Sequence, residues 1–219
     1  MVNKMNKDVL KDLTYGMYVI STKYNGKDVG CFVNTVSQIT AQDVVISVSV
    51  NKENFTNKAI KESKIFAVSI LSCDSTPDVI GKFGFFSSEQ MDKFSEFKTI
   101  EEQGIKVIDE KICGYLICEL IQVVDIDTHD VFIAKVKNMV KMEDKGPMTY
   151  DYYHTVIKGK APKKAPTYIE EIVDNSIKYK CEICGYIHDE SKEKIKFEDL
   201  PDDWKCPICG VGKETFTKI

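Results

Sequence analysis

Alternation of apolar and polar residues is the commonest pattern along the chain. Val44 to Val50 sets Val and Ile against Ser with the two-residue period of a strand buried on one face. Met17 to Thr22, Val29 to Thr40, Ile65 to Leu71, Tyr115 to Asp125 and Val131 to Met142 are further runs rich in β-branched residues. Asn25 and Gly26 lie between the first two, and both tolerate the positive φ that a tight hairpin demands. Helical spacing is confined to short stretches. Met5, Val9, Leu10 and Leu13 fit an amphipathic N-terminal helix, and Asn57 to Ser63 reads as a short helix capped by Thr56. Asp78 to Phe86, opened by Thr76 and Pro77, reads as a helical turn that breaks at Gly84, followed by a polar loop over Ser87 to Phe97. Six or so strands with short helical excursions predict a mainly β fold, a closed or partly closed barrel, since long strands need partners on both edges.

The pattern stops at Gly159. Lys160, Ala161, Pro162, Lys163, Lys164, Ala165 and Pro166 carry no periodicity and read as the start of a linker. The expected division is a domain over 1–158, a linker over 159–176 and a small module over 177–219. That module holds two CxxCG knuckles, Cys181 with Cys184 and Cys206 with Cys209. Each knuckle sets two sulfurs three positions apart on a tight turn, so the pair presents the tetrahedron of thiolates that selects zinc or iron. Zinc in such a cage is a staple, whereas iron is a one-electron carrier. Tyr179, Tyr186, Phe197, Trp204 and Phe216 supply an aromatic screen, and Gly185 and Gly210 permit backbone N–H groups to turn toward sulfur. The 21 residues between Cys184 and Cys206 lie just past the zinc-ribbon range of about 15–20, so spacing alone leaves both metals open.

Composition narrows the remaining possibilities. A net charge of −4 with no basic cluster argues against nucleic acid or an anionic membrane as the main partner. No apolar run suits a signal peptide or a membrane span, so a cytoplasmic protein is expected, in which Cys31, Cys73, Cys113 and Cys118 are free thiols. The chain contains no arginine, so a phosphate must be held by lysine, hydroxyl and backbone N–H groups. Neither a GxGxxG turn nor a P-loop is present. The best anion site is Asn51 to Thr56, where a strand ends, Lys52 stands and a helix begins.

The knuckles resemble rubredoxin, with its YKCxxCGY opening, its DLPDDWxCPxCG second knuckle and its closing GKxxF at Gly212 to Phe216, on a shorter loop than the stand-alone rubredoxins carry. The resemblance implies one iron at Cys181, Cys184, Cys206 and Cys209. Upstream, Gly30 to Thr40, Ser47 to Lys52, Phe55 to Thr56 and Phe66 to Leu71 resemble the FMN-binding split barrel of the flavin reductase family. Thr128 to Ile133 stands where those proteins carry a GDH segment, whose glycine and aspartate are here Asp127 and Thr128. Lys82 to Phe86, Lys93 with Phe94, and Tyr152 to Lys160 match the branch fused to rubredoxin, the high-molecular-weight rubredoxins.

The resemblance implies that Asn34, Thr35, Gln38 and Thr40 line the isoalloxazine, with Ser49 and Asn51 as further partners. It implies that Lys52 and Thr56 hold the FMN phosphate, that Phe83, Gly84 and Phe85 close over the ring or ribityl chain, and that His129 contacts the nicotinamide of NADH. The implied activity is an NADH-dependent oxidoreductase that passes electrons through FMN to iron and on to a separate acceptor, a flavodiiron protein that reduces oxygen or nitric oxide. A homodimer is implied as well. A free-flavin reductase and a non-enzymatic flavin-binding protein with a zinc-ribbon docking module are the alternatives.

Overall fold

A computed structural model describes residues 6–142, 145–157, 159, 165–167, 177–193 and 195–219. Two compact units divide the chain, Met1–Ile169 and Glu170–Ile219.

The first unit runs β1 (Tyr18–Tyr24), β2 (Lys27–Val33), β3 (Val36–Gln38), β4 (Val45–Asn51), α1 (Phe55–Ser63), β5 (Ile65–Leu71), α2 (Pro77–Phe85), β6 (Thr99–Glu102), β7 (Ile105–Ile108), β8 (Ile112–Ile126), β9 (His129–Lys141) and α3 (Tyr150–Thr155). Seven of these strands form one antiparallel sheet in the order β2-β1-β5-β8-β9-β4-β3. The two edge strands, β2 and β3, are joined only by Asn34 and Thr35. So short a connection spans about 10 Å at most. The sheet must therefore roll until its edges nearly meet, although no ladder joins β2 to β3 among the described residues. The result is a barrel with a seam, and the seam lies at Asn34 and Thr35. On the β3 side of it the Ser49 N–H donates to the Thr35 carbonyl at 3.2 Å, extending the β3–β4 ladder.

Two-residue alternation sends successive side chains to opposite faces of the rolled sheet. Ile20, Cys31, Val48, Phe66, Cys118 and Phe132 form one core cluster together with Ile60 of α1. Val19 and Ala67, one position along their strands, belong to a second cluster with Val79, Ile80 and Phe83 of α2, Val107 of β7 and Tyr153 of α3. Cys31, Cys113 and Cys118 are buried.

Several expectations need correcting. Val29 to Thr40 is not one strand, because the chain leaves β2 at Val33 and crosses the seam before β3. Thr56 is not the cap of α1. Asn54 is, its Oδ1 accepting the Thr56 N–H at 3.1 Å, and α1 therefore starts two residues earlier than expected. Gly84 does not break α2, which continues to Phe85. The N-terminal stretch is a 3-10 helix, Lys7–Asp12, with Val9 and Leu10 exposed, and Met5 lies outside the described residues. The β6–β7 hairpin was not expected. Its turn, Gln103 and Gly104, has φ of 51° and 77°.

The segment from Ser87 to Phe97 is also less polar in placement than in composition. Ser88, Lys93 and Phe94 are buried, and Ser88 Oγ and Lys93 Nζ donate to the Gly30 carbonyl at 3.0 and 2.8 Å. Lys93 Nζ also donates to the Phe83 carbonyl at 3.3 Å, so this side chain clips β2 to α2. Burial lowers the Lys93 ammonium to about 8. A folded-state value below the unfolded one means that the charge is penalised below pH 8, and the penalty disappears as pH rises toward the unfolded value. Between pH 7.5 and 10 the wild type should gain about 2 kcal/mol of unfolding free energy relative to Lys93→Met. Urea unfolding of both proteins at the two pH values measures it, and parallel pH profiles would refute it.

The second unit contains β10 (Lys178–Cys181), β11 (Ile187–Asp189) and β12 (Phe216–Lys218) in the order β11-β10-β12. Tyr179 stacks on Phe197 at 4.1 Å, and Phe197, Trp204 and Phe216 pack mutually at 5.1 to 5.9 Å.

Candidate functional site

The Sγ atoms of Cys181, Cys184, Cys206 and Cys209 all lie within 4.8 Å of one another. Cys181 to Cys209 is 3.7 Å and Cys184 to Cys206 is 3.6 Å. A tetrahedral metal with sulfur bonds of about 2.3 Å requires edges of about 3.8 Å, so the cage fits one ion. The knuckles are built alike. Gly185 and Gly210 have φ of 76° and 74°, and their N–H groups donate to the Cys181 and Cys206 carbonyls, each at 2.9 Å. Glycine is the residue that takes this left-handed conformation without penalty. Burial pushes the Cys181 thiol up, but the N–H groups of Cys184 and Ile183 outweigh it and hold the thiol at about 7. The same backbone arrangement, from Cys209 and Ile208, lowers Cys206 against its burial. Cys209 accepts the Val211 N–H, which lowers it, yet burial and the neighbouring sulfurs push it up to about 12. Four crowded sulfurs hold their charge only around a cation. Cys181 and Cys206 are buried and Cys184 and Cys209 exposed, so the cage has a wet side and a dry side.

The second candidate is a cleft beside the barrel seam, lined by Phe32, Val33, Ser49, Val50, Asn51, Asn54, Gly84, Ala165 and Pro166. It encloses about 20 Å³, room for a water molecule, so a ligand of flavin size lies along its open side or widens it. Asn34 is 2% exposed, and its Oδ1 is buried without a partner. Its Nδ2 donates to Thr167 Oγ1 at 2.6 Å. A buried acceptor left unpaired costs about 1–3 kcal/mol, so this atom fits a ligand that brings an N–H or O–H donor. The apolar walls, the few fixed polar atoms and the orphaned amide oxygen together fit a flavin.

The expected flavin residues are not all gathered here. Ser49, Asn51 and Gly84 line the cleft. Asn34 stands at the seam, and the Thr35 hydroxyl donates to the Ser49 carbonyl at 3.3 Å. Gln38 ends β3 and Thr40 lies in the β3–β4 turn, both exposed; the Gln38 amide donates to the Thr40 carbonyl at 2.9 Å and Thr40 Oγ1 bonds Asp43 O and Val45 N–H. Phe83 is core, edge-on to Phe94 at 5.0 Å, and Phe85 is exposed. The Thr56 hydroxyl is fully buried beside the Cys31 thiol, so an anion at this turn meets the α1 backbone, Asn54 and Lys52 instead. Lys52 is not free, since its Nζ pairs with Asp125 at 2.7 Å. Phe32, Val33, Val50, Ala165 and Pro166 were missed. Asn54 falls within the expected anion site, but its role as the α1 cap was not seen.

His129 opens β9 opposite Asn51 of β4, which puts it at the same end of the barrel as the Asn51–Asn54 turn. Its Nδ1 hydrogen-bonds Thr128 Oγ1 at 2.8 Å, and its Nε2 is buried without a partner. The Lys52 N–H donates to the Thr128 carbonyl at 3.0 Å and Asp127 supplies the positive φ of 42°, so the turn closes without glycine. Next door, Asp130 accepts from Asn57 at 2.9 Å and Lys61 at 2.5 Å. Burial pushes the Asp130 carboxyl up, but those two donors hold it below its ordinary value. The hairpin is thereby pinned to α1.

A seamed barrel with a flavin-compatible cleft and a separate four-thiolate cage define an oxidoreductase of the electron-transferring flavoprotein class. Residues 10–158 match the flavin reductase like domain family, and residues 178–216 match rubredoxin. The chain therefore belongs to the flavin reductase-like family, with a rubredoxin domain at its C-terminus. It is 38% identical, over 98% of its length and 100% of the relative's, to the high molecular weight rubredoxin of Moorella thermoacetica. It is 33% identical, over 76% of its length and 99% of the relative's, to the ferric-chelate reductase (NAD(P)H) of Archaeoglobus fulgidus. Flavoredoxin from Methanosarcina acetivorans shares the fold, with a TM-score of 0.58 and 21% identity over 65% of this chain and 76% of that one. The chain binds flavin in its barrel domain and iron in its rubredoxin domain, and it supports flavin-mediated electron transfer. No helix among the described residues is long and apolar enough to cross a membrane.

Proposed function

We propose that the chain is an NADH oxidoreductase in which FMN at the seam cleft feeds the iron held by Cys181, Cys184, Cys206 and Cys209, which in turn serves a separate redox protein. The observation that carries this reading is the presence, in one chain, of an orphaned buried amide oxygen on Asn34, next in sequence to Val33 of the cleft, and a four-sulfur cage of metal dimensions. Bound flavin takes a hydride's two electrons at once and gives them up singly, and tetrathiolate iron takes one at a time. The residues' part is to hold and to insulate. Asn34 offers an acceptor, Ser49 and Asn51 edge the cleft, and Phe32, Val33 and Val50 exclude water from it. Lys52, the Asn54 amide and the Phe55 N–H at the start of α1 hold the phosphate. In the cage, backbone N–H groups beside Cys181 and Cys206 stabilise thiolate charge.

The family resemblance supports a flavodiiron protein as the acceptor and a homodimer as the assembly. NADH is favoured over NADPH because an arginine usually accommodates the extra 2′-phosphate and the chain has none. His129 lies beside the Asn51 end of the cleft and is proposed to contact the nicotinamide. His129→Ala is expected to slow flavin reduction by NADH while leaving electron flow from photoreduced flavin to iron unchanged. Stopped-flow reduction with each nucleotide tests both statements. Equal rates with NADPH would overturn the donor, and an unaffected variant would remove His129 from the site.

A further inference from the structure

The segment after the barrel contributes more than a connection. Ala165 and Pro166 line the same cleft as Ser49, Asn51 and Gly84. The next residue, Thr167, accepts the Asn34 Nδ2–H at 2.6 Å. Asn34 and Thr167 stand 133 positions apart, so this is a long-range contact and not a turn closing on itself. The amide of Asn34 has two ends, and this bond decides which way they point. With Nδ2 committed to Thr167, Oδ1 is left buried and without a partner, one residue along from Val33, which lines the cleft. A hydroxyl that accepts one hydrogen bond also keeps its own proton to donate. Thr167 thus has a second hydrogen bond to give at the edge of the cleft.

We infer that Ala165–Thr167 is a wall of the flavin site, in which Thr167 is a positioning residue that orients Asn34 toward the ligand. The inference rests on the reading of the cleft as the flavin site. It extends that site into the segment leading toward the rubredoxin domain, so flavin occupancy and the order of this segment are linked. Reciprocity requires that flavin order the segment if the segment retains flavin.

Full-length protein loaded with FMN provides the test. Thr167→Val keeps the shape and removes the hydroxyl, and FMN dissociation, followed by recovery of flavin fluorescence after dilution, should be about five- to tenfold faster. Thr167→Ser restores the hydroxyl and should return the rate to within about twofold of wild type, which a packing defect would not do. In the wild type, FMN should slow amide hydrogen exchange at Ala165 and Thr167. Asn34→Ala tells the flavin site and its wall apart. If Asn34→Ala releases FMN quickly while Thr167→Val matches wild type, the flavin site stands and the wall is refuted. If Asn34→Ala leaves dissociation unchanged, the cleft is not the flavin site and this inference falls with it. Faster exchange at Ala165 and Thr167 on adding FMN would mean that flavin expels the segment, which also refutes the wall.

Discussion

Replacing Cys206 by Ser is expected to abolish the visible absorption of the iron centre and unfold the second unit while leaving FMN bound to the first. The second unit has little else to hold it together. Its strands are four, three and three residues long, and its buried side chains are few, chiefly Tyr179, Phe197, His188 and the two inner cysteines. A core so small does not by itself offset the entropy of ordering the chain, so metal binding supplies the stability. For structural four-ligand sites of the zinc-finger kind that amounts to roughly 10 kcal/mol or more. Cys206 is the inner ligand of its knuckle, buried at 3% and 3.6 Å from Cys184, and a serine hydroxyl is a poor replacement for its thiolate. Trp204 is the chain's single tryptophan and packs on Phe197 and Phe216, so its fluorescence reports this unit alone. The expected result is red-shifted Trp204 emission, no iron absorption and an unchanged flavin content. Retained iron absorption would contradict Cys206 as a ligand, and loss of flavin together with iron would contradict the independence of the two cores. In the wild type, one zinc per chain from iron-sufficient cells would contradict the carrier role itself.

Lys52→Ala is expected to weaken FMN retention roughly ten- to a hundredfold, the equivalent of one charge-assisted hydrogen bond of about 1.5–3 kcal/mol. Lys52 follows β4 directly, and the residues after it lead into the first turn of α1, so an ammonium released from Asp125 shares its anion with the start of that helix. Its partner in the structure is Asp125, 78% exposed at the side chain, an ion pair worth about 1 kcal/mol at most. The variant should therefore fold normally, and its defect should appear with FMN but much less with riboflavin, which has no phosphate. Equal losses for the two flavins would place Lys52 at the ring instead of the phosphate. Unchanged affinity for both would remove it from the site.

The strands were legible because alternation is a local property. Ile65 to Leu71 matches β5 end for end, and Val44 to Val50 lies within one residue of β4. The four cysteines were legible for the same reason, each pair being local and its knuckle closed by its own glycine. What could not be read depends on residues that meet only after folding. The break at Asn34 and Thr35 arises because the sheet rolls, and nothing in VNTV interrupts a strand. Lys93 looks like a solvated loop lysine until the Gly30 and Phe83 carbonyls are brought to it. Thr56 and Asn54 are both acceptable caps, and the choice is made by burial of the Thr56 side chain against Cys31. Ala165 to Thr167 has the composition of a linker, and its place in the cleft is set by a partner 133 residues away. The β6–β7 hairpin was the avoidable miss. Gln103 and Gly104 between alternating Ile, Glu, Ile and Val is a local signal of the kind that identified Asn25 and Gly26.

The most direct test of the central claim is an anaerobic NADH titration of full-length protein, with the flavin and iron absorption bands followed together. Protein carrying FMN and iron should bleach at both bands, consuming three electrons per chain, two at flavin and one at iron. Protein stripped of flavin but retaining iron should leave the iron band unchanged with NADH and bleach it with dithionite. Iron that is reduced by NADH at the same rate without flavin, or that stays oxidised while the flavin is fully reduced, would contradict electron transfer through the seam cleft to the four-thiolate centre.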